Sequence, residues 1–416
     1  MIHYRGEIFY SQGAISLVSA SRSFRVPASI RTGFFLVCFV LLLCCGEKRE
    51  PPAWSGPAKI AVVVPNTGPL MEEGQMLQFG ALLASREAES RVADLNLEVV
   101  VYDSPCDPDG GVAAAKRLTT DGAVSAVIGY LCAETLRAVL PIYQDAHLAL
   151  INPTVSAEYV RQDETRNLFS LLYGDGDQAA FLANYAKEGL GLNRVAILRD
   201  ESAYGHLLSS SFDAEATRLG LELVANVAIN SDQAEAARAI KSLKSTSPEG
   251  VFLAASPRAA SLFLLERQRQ HLGGVVLGPD QLADLDFYEM AGQAAEGLLV
   301  CQPILLETEN PKQSEFVRRF EQLYKRRPDW LAAAGYDAMR LALEVLNRSG
   351  PGRSAFLQSV RTISGPDTAF EGLSGPVFFK DDGTSRRPFF VGAVQNGTLQ
   401  AAKPPTVAFP VLQSGE

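Results

Sequence analysis

The chain has 416 residues, of which 47% are hydrophobic and 20% charged, and a formal net charge of −9. That length suggests two cores rather than one, and the composition is that of a folded globular chain. The acidic balance excludes the basic patch that a nucleic-acid partner would need.

At the amino terminus Arg5, Arg22, Arg25 and Arg31 precede an uncharged apolar run over residues 34–44. Basic region followed by apolar core is the order of an export signal, and the run is short for a bilayer span, although a short anchor stays open. The run ends in Leu42, Leu43, Cys44, Cys45, Gly46, which resembles a bacterial lipoprotein processing box. Cys45 is then the lipidated residue, with Cys44 at a position where the pattern prefers Gly, Ala or Ser. Residues 1–44 read as the leader and 45–58 as a Pro-rich tether.

From Lys59 strands and helices alternate. Strand 59–64 leads to helix 74–89, strand 97–103 to helix 111–120, strand 124–129 to helix 133–145, and strand 148–151 to strand 167–173. The pattern then restarts with helix 178–188, strand 195–199, helix 205–219, strand 222–229, helix 234–245, strand 251–255, helix 259–271 and strand 275–278. Strand 298–301, helices 314–325, 331–347 and 354–363, and strands 377–379 and 389–395 complete the chain. Such alternation predicts an α/β fold of two doubly wound parallel-sheet lobes with right-handed crossovers.

The stretch VSAVIGYLCAETL, residues 124–136, is a strand feeding a helix. The crevice beyond such a strand faces a helix amino terminus, whose unpaired N–H groups suit a carboxylate. This turn is a candidate ligand site, with Cys132 as a candidate tether. Cys106 and Cys132 both follow strands at one end of the sheet, so a Cys106–Cys132 disulfide is expected, the alternative being two buried free thiols. Cys301 reads as a core residue.

Catalytic readings find little. His3, His147, His206 and His271 have no metal-ligand spacing, and no GxSxG elbow or P-loop is present. The string GDGDQA at residues 174–179 fits GxGxxA, but its two acids would repel a pyrophosphate. Asp103, Asp107 and Asp109 lack calcium-loop spacing. No enzyme activity, cofactor or metal is expected.

Several stretches together carry a resemblance: IAVVVPNTGPL at Ile60, YDSPCDPDGG at Tyr102, AVIGYLCAETL at Ala126, INPTVS at Ile151, GDGDQ at Gly174, ILRDESAYG at Ile197, GPDQL at Gly278, GYDAM at Gly335 and LSGPVFFKDDG at Leu373. The chain resembles the leucine/isoleucine/valine-binding family of periplasmic substrate-binding proteins. The resemblance implies the type I periplasmic binding fold, with lobe 1 from residues 59–174 and 303–376 and lobe 2 from residues 175–302 and 377–416. Three crossings, near Gly174, Gln302 and Phe378, would let the lobes close over a ligand.

The resemblance also implies site residues. Ala133, Glu134 and Thr135 fall where the family binds the ligand carboxylate, with Ala133 in place of a serine. Thr154 matches a carbonyl contact, Ser156 a hydroxyl contact, Tyr204 an aromatic wall, and Asp280 the acid that pairs with the ligand ammonium. Glu73, Ala255 and Leu331 stand where aromatic residues are expected. The expected protein is a monomeric solute-binding protein, lipid-anchored in the periplasm or on the outer face of the cell membrane, that delivers an amino acid or similar small polar ligand to an ABC permease. The alternative is an envelope sensor or regulator on the same fold without transport.

Overall fold

The computed structural model describes residues 58–88, 96–160, 165–230, 232–283, 285–306 and 309–402. The expected leader, Cys45 and the tether as far as residue 57 lie outside the described residues.

The first sheet has the order β2-β1-β3-β4-β5, all parallel. Its strands are β1 (Ala58–Val64), β2 (Leu97–Asp103), β3 (Val124–Gly129), β4 (Ala149–Asn152) and β5 (Leu168–Ser170). All of β3 and nearly all of β1 is buried, as strands covered on both faces require, whereas β2 mixes half-buried and exposed positions as an edge strand does. The second sheet runs β15-β14-β10-β9-β8-β6-β7. It is built from β6 (Arg194–Arg199), β7 (Glu222–Ala228), β8 (Gly250–Ala254), β9 (Val275–Gly278) and β10 (Leu299–Gln302). Strands β11 (Phe370–Gly372), β12 (Gly375–Phe379) and β13 (Ser385–Arg386) make a small antiparallel sheet, and β14 (Phe390–Gln395) and β15 (Thr398–Ala401) close the edge of the second. The strands expected at 377–379 and 389–395 are β12 and β14, which pair antiparallel; β11, β13 and β15 were not expected, being too short to show a period in the sequence.

The helices are α1 (Met71–Ala88), α2 (Pro108–Thr120), α3 (Ala133–Asp145), α4 (Ala157–Val160), α5 (Asp175–Asn184), α6 (Ala203–Leu219), α7 (Gln233–Thr246), α8 (Pro257–Gln270), α9 (Leu285–Ala291), α10 (Pro311–Tyr324), α11 (Trp330–Ser349) and α12 (Arg353–Arg361). Several begin up to three residues earlier than expected because caps sit upstream. Asp107 accepts the N–H groups of Asp109 and Gly110, with Pro108 opening the helix. Helices α1 and α11 touch backbone to backbone. A Cβ on Gly80 would stand 1.8 Å from the Ala332 carbonyl oxygen, and one on Gly335 would stand 2.1 Å from that of Leu77. Only glycine fits at either point.

Two pairs of cores separate the lobes, and the chain passes between them three times. Leu171 packs in the first lobe and Leu172 in the second, Cys301 in the second and Ile304 in the first, and Phe379 in the first and Val391 in the second. The third passage runs between Phe379 and Val391, because Val377, Phe378 and Phe379 bury their side chains in the first core and Val391 in the second. The Arg387 guanidinium joins the three passages. Its Nη1 donates to the Leu171 carbonyl at 2.7 Å and its Nη2 to the Pro303 carbonyl at 2.8 Å.

Cys106 and Cys132 form the expected disulfide, with Cα atoms 5.4 Å apart. The strands that lead into them are not neighbours. β2 and β3 flank β1, so the bridge passes over the end of the strand between them. Cys301 is free and buried.

Candidate ligand site

Each parallel sheet reverses its winding once, between β1 and β3 in the first and between β6 and β8 in the second. At such a switch the loops beyond the carboxyl ends part and leave a crevice. At the first, Asn152 binds two loops into one unit. Its Nδ2 donates to the carbonyls of Gly129 (2.9 Å) and Tyr130 (2.7 Å), and its Oδ1 accepts the N–H groups of Thr154 (3.0 Å) and Val155 (2.6 Å). At the second, Asp200 accepts the N–H groups of Ser202 (3.1 Å) and Ser256 (2.7 Å). Burial raises the Asp200 carboxyl, but the hydrogen bonds from Ser202 and Ser256 outweigh it and hold the pKa below the usual value.

Helix α5, just beyond the first passage, supplies Gln178, which ties the start of α6 to the loop after β9. Gln178 Nε2 donates to Asp175 Oδ1 (3.3 Å) and to the Tyr204 hydroxyl (3.3 Å), and Gln178 Oε1 accepts the Asp280 N–H (3.1 Å). Asp175 is 6% exposed. Burial, followed by the charges of Asp280 and Glu158, pushes its carboxyl up to about 8, against hydrogen bonding from Gln178 and Ser156. Burial likewise lifts Asp280 to about 6, with Gln178 and Tyr173 opposing. The Tyr173 and Tyr204 hydroxyls are pushed up by burial and then by the charge of Asp280. From the first lobe Glu158 accepts the Gly176 N–H at 3.1 Å. The result is a set of partly buried acids ringed by tyrosine hydroxyls and an amide. Such a set repels anions and stabilises a cation that displaces water from it.

Of the residues expected at the site, Ser156, Tyr204 and Asp280 gather around Asp175 and Gln178. The Ser156 hydroxyl influences Asp175 but makes no well-formed hydrogen bond. Thr154 lies in the same loop as Ser156, half-buried, with its hydroxyl donating to the Tyr130 carbonyl at 3.3 Å. Ala133 is half-buried at the first position of α3, whose first turn has no side-chain cap. Glu134 does not join. It is exposed and its carboxylate takes both oxygens to Arg137 at 3.0 Å. Thr135 turns into the lobe: its Cγ2 would sit 2.3 Å from a Cβ on Gly111, and its buried hydroxyl has no partner. Ala255 and Leu331 belong to the cores, and Glu73 is half-buried with one carboxylate oxygen lacking a partner.

Sequence reasoning missed Asp175, Gln178, Glu158, Tyr173 and Asn152. A signal for the first two was present in GDGDQA, whose acids were weighed only against a pyrophosphate. Among the described residues no group of three His, Cys, Asp or Glu could hold a metal, and no helix is long and apolar enough to cross a membrane.

Comparison with known proteins follows the same lines. A family described as periplasmic binding protein matches residues 57–398. The chain belongs to the periplasmic binding protein family. A relative within it is the leucine-, isoleucine-, valine-, threonine- and alanine-binding protein of Pseudomonas aeruginosa, 24% identical over 70% of this chain and 78% of that one. The Leu/Ile/Val-binding protein of Escherichia coli K12 is 27% identical over 59% and 67%. Among solved structures, a leucine-binding protein from Thermotoga maritima has TM-score 0.67 at 24% identity, covering 83% of this chain and 97% of that one. A Rhodopseudomonas palustris solute-binding protein in complex with benzoate has TM-score 0.64 at 21% identity, covering 86% and 99%. These relatives bear out the resemblance to the leucine/isoleucine/valine-binding members of the periplasmic binding protein family.

Proposed function

We propose that this chain is the lipid-anchored, extracytoplasmic solute-binding component of an ABC importer, and that it captures an amino acid or a related small amine between its lobes. The observation that carries this reading is the convergence of Ser156 from the first lobe with Asp175, Tyr204 and Asp280 around Gln178. In the reading, Asp280 pairs with the ligand ammonium, Ser156 and the Thr154 carbonyl complete its hydrogen bonds, and the uncapped first turn at Ala133 faces the carboxylate. Binding to both lobes favours the closed arrangement by the difference in affinity between the two states. The names of the relatives, which bind leucine and other aliphatic amino acids, support the ligand class. The leader and the Leu42 to Cys45 box support the anchor, since the several acyl chains on a lipoprotein cysteine hold firmly where one does not.

Thermal-shift screening of the processed protein against amino acids, amino-acid amides and small amines tests the proposal. A ligand at about 100 times its Kd stabilises by roughly 2.7 kcal/mol. No shift with any of them would favour the sensor or regulator.

A further inference from the structure

A second feature lies at the opposite end of the second sheet. A cavity of about 290 Å³ opens between α8 and the amino-terminal ends of β9 and β10. Its apolar wall includes Leu264, Val276, Ala294 and Leu298, all buried, and Arg267 of α8 completes the lining. Asp280 follows the carboxyl end of β9, so the two places are separated by the length of that strand.

Arg267 is not satisfied where it stands. Its Nη2 donates to the Gly274 carbonyl at 2.7 Å, but its Nε is buried without a hydrogen-bond partner. Among the described residues no carboxylate lies within ion-pair distance of it. Glu296, also in the lining, accepts the N–H groups of Asn396 (3.1 Å) and Gly397 (2.9 Å) instead. Burial lowers the Arg267 pKa, as expected for a cation that has lost water and gained no counter-ion. A buried donor without an acceptor is destabilising, and a guanidinium is the side chain best suited to take a carboxylate by two parallel hydrogen bonds.

We propose that this cavity is a second binding site, for a small organic monoanion whose carboxylate pairs with Arg267 and whose aliphatic or aromatic body packs on Leu264, Val276 and Leu298. The volume is at the low end for ligand pockets and fits a compact carboxylic acid, not a nucleotide or a peptide. The site needs no closure of the lobes, and it stands or falls separately from the amine site.

The test is a methyl NMR titration of the full chain with 4-methylpentanoate and benzoate, and with 4-methylpentanamide as the uncharged control. The carboxylates should shift the methyl resonances of Leu264, Val275, Val276 and Leu298, and the amide should not. Arg267→Gln should weaken carboxylate binding about tenfold or more. Ala294→Leu, which fills the cavity without touching the guanidinium, should weaken it as well. Asp280→Asn should leave it unchanged. Shifts centred on Val155, affinity indifferent to Arg267→Gln in a variant that keeps its native circular dichroism, or no shift up to the solubility limit of either probe would overturn the proposal.

Discussion

Asp175 makes ligand-free stability depend on pH in a direction opposite to that of most carboxylates. Its carboxyl is nearly inaccessible, lies near Asp280 and Glu158, and titrates at about 8 in the fold against about 4 in an unfolded chain. Folding therefore penalises the charged form. The penalty is absent below about pH 4, grows as the unfolded state ionises while the folded state keeps its proton, and is complete above about pH 8. Four pH units would correspond to roughly 5 kcal/mol as an upper bound, and relaxation around a charged Asp175 reduces this to about 3 kcal/mol. Asp175→Asn keeps the shape and the hydrogen bond from Gln178 but cannot ionise. Urea unfolding of the ligand-free protein should show wild type and variant within about 1 kcal/mol at pH 4.5. At pH 8.5 the variant should be more stable by about 3 kcal/mol. The difference between the two proteins isolates Asp175 from Asp337, whose carboxyl burial also lifts to about 6. A variant less stable than wild type by the same amount at both pH values would show that Asp175 is an ordinary structural hydrogen-bond acceptor and refute the reasoning.

Other perturbations have equally direct readouts. Gly80→Ala places a methyl 1.8 Å from the Ala332 carbonyl oxygen and should destabilise by about 3 kcal/mol in chemical denaturation as α1 and α11 are forced apart. Arg387→Met leaves the Leu171 and Pro303 carbonyls without their charged donor and should cost about 3 kcal/mol in the same assay, at neutral pH and without ligand. Replacing Cys106 and Cys132 together by serine opens a loop of 26 residues and should cost about 3.5 kcal/mol, seen as a lower melting temperature that reductant does not change further.

The layered α/β plan was legible because buried parallel strands such as residues 124–129 are mostly apolar runs, and the helices between them keep their period. The disulfide was legible because parallel strands put their loops at one end of the sheet, although the order that sets β1 between the two strands is not written in any local pattern. The short strands β11, β13 and β15 were not legible, since pairing and not periodicity defines them. The core that Val377, Phe378 and Phe379 enter was not legible, because such residues look alike whichever core they join. At the site, the family resemblance implied Ser156, Tyr204 and Asp280, which the structure gathers around Asp175 and Gln178, and also Glu134 and Thr135, whose side chains turn elsewhere. Asp175 and Gln178 escaped because their role comes from contacts 26 and 102 residues away along the chain, to Tyr204 and Asp280.

The claim that an amine-bearing ligand rests on Asp280 is tested most directly by calorimetric titration of the tightest amino acid or amine from the thermal screen into wild type and Asp280→Asn. Removing the charge of a buried ammonium partner while keeping its shape should weaken binding about thirtyfold or more, with the fold of the free protein preserved. Equal affinity for both proteins would contradict the account.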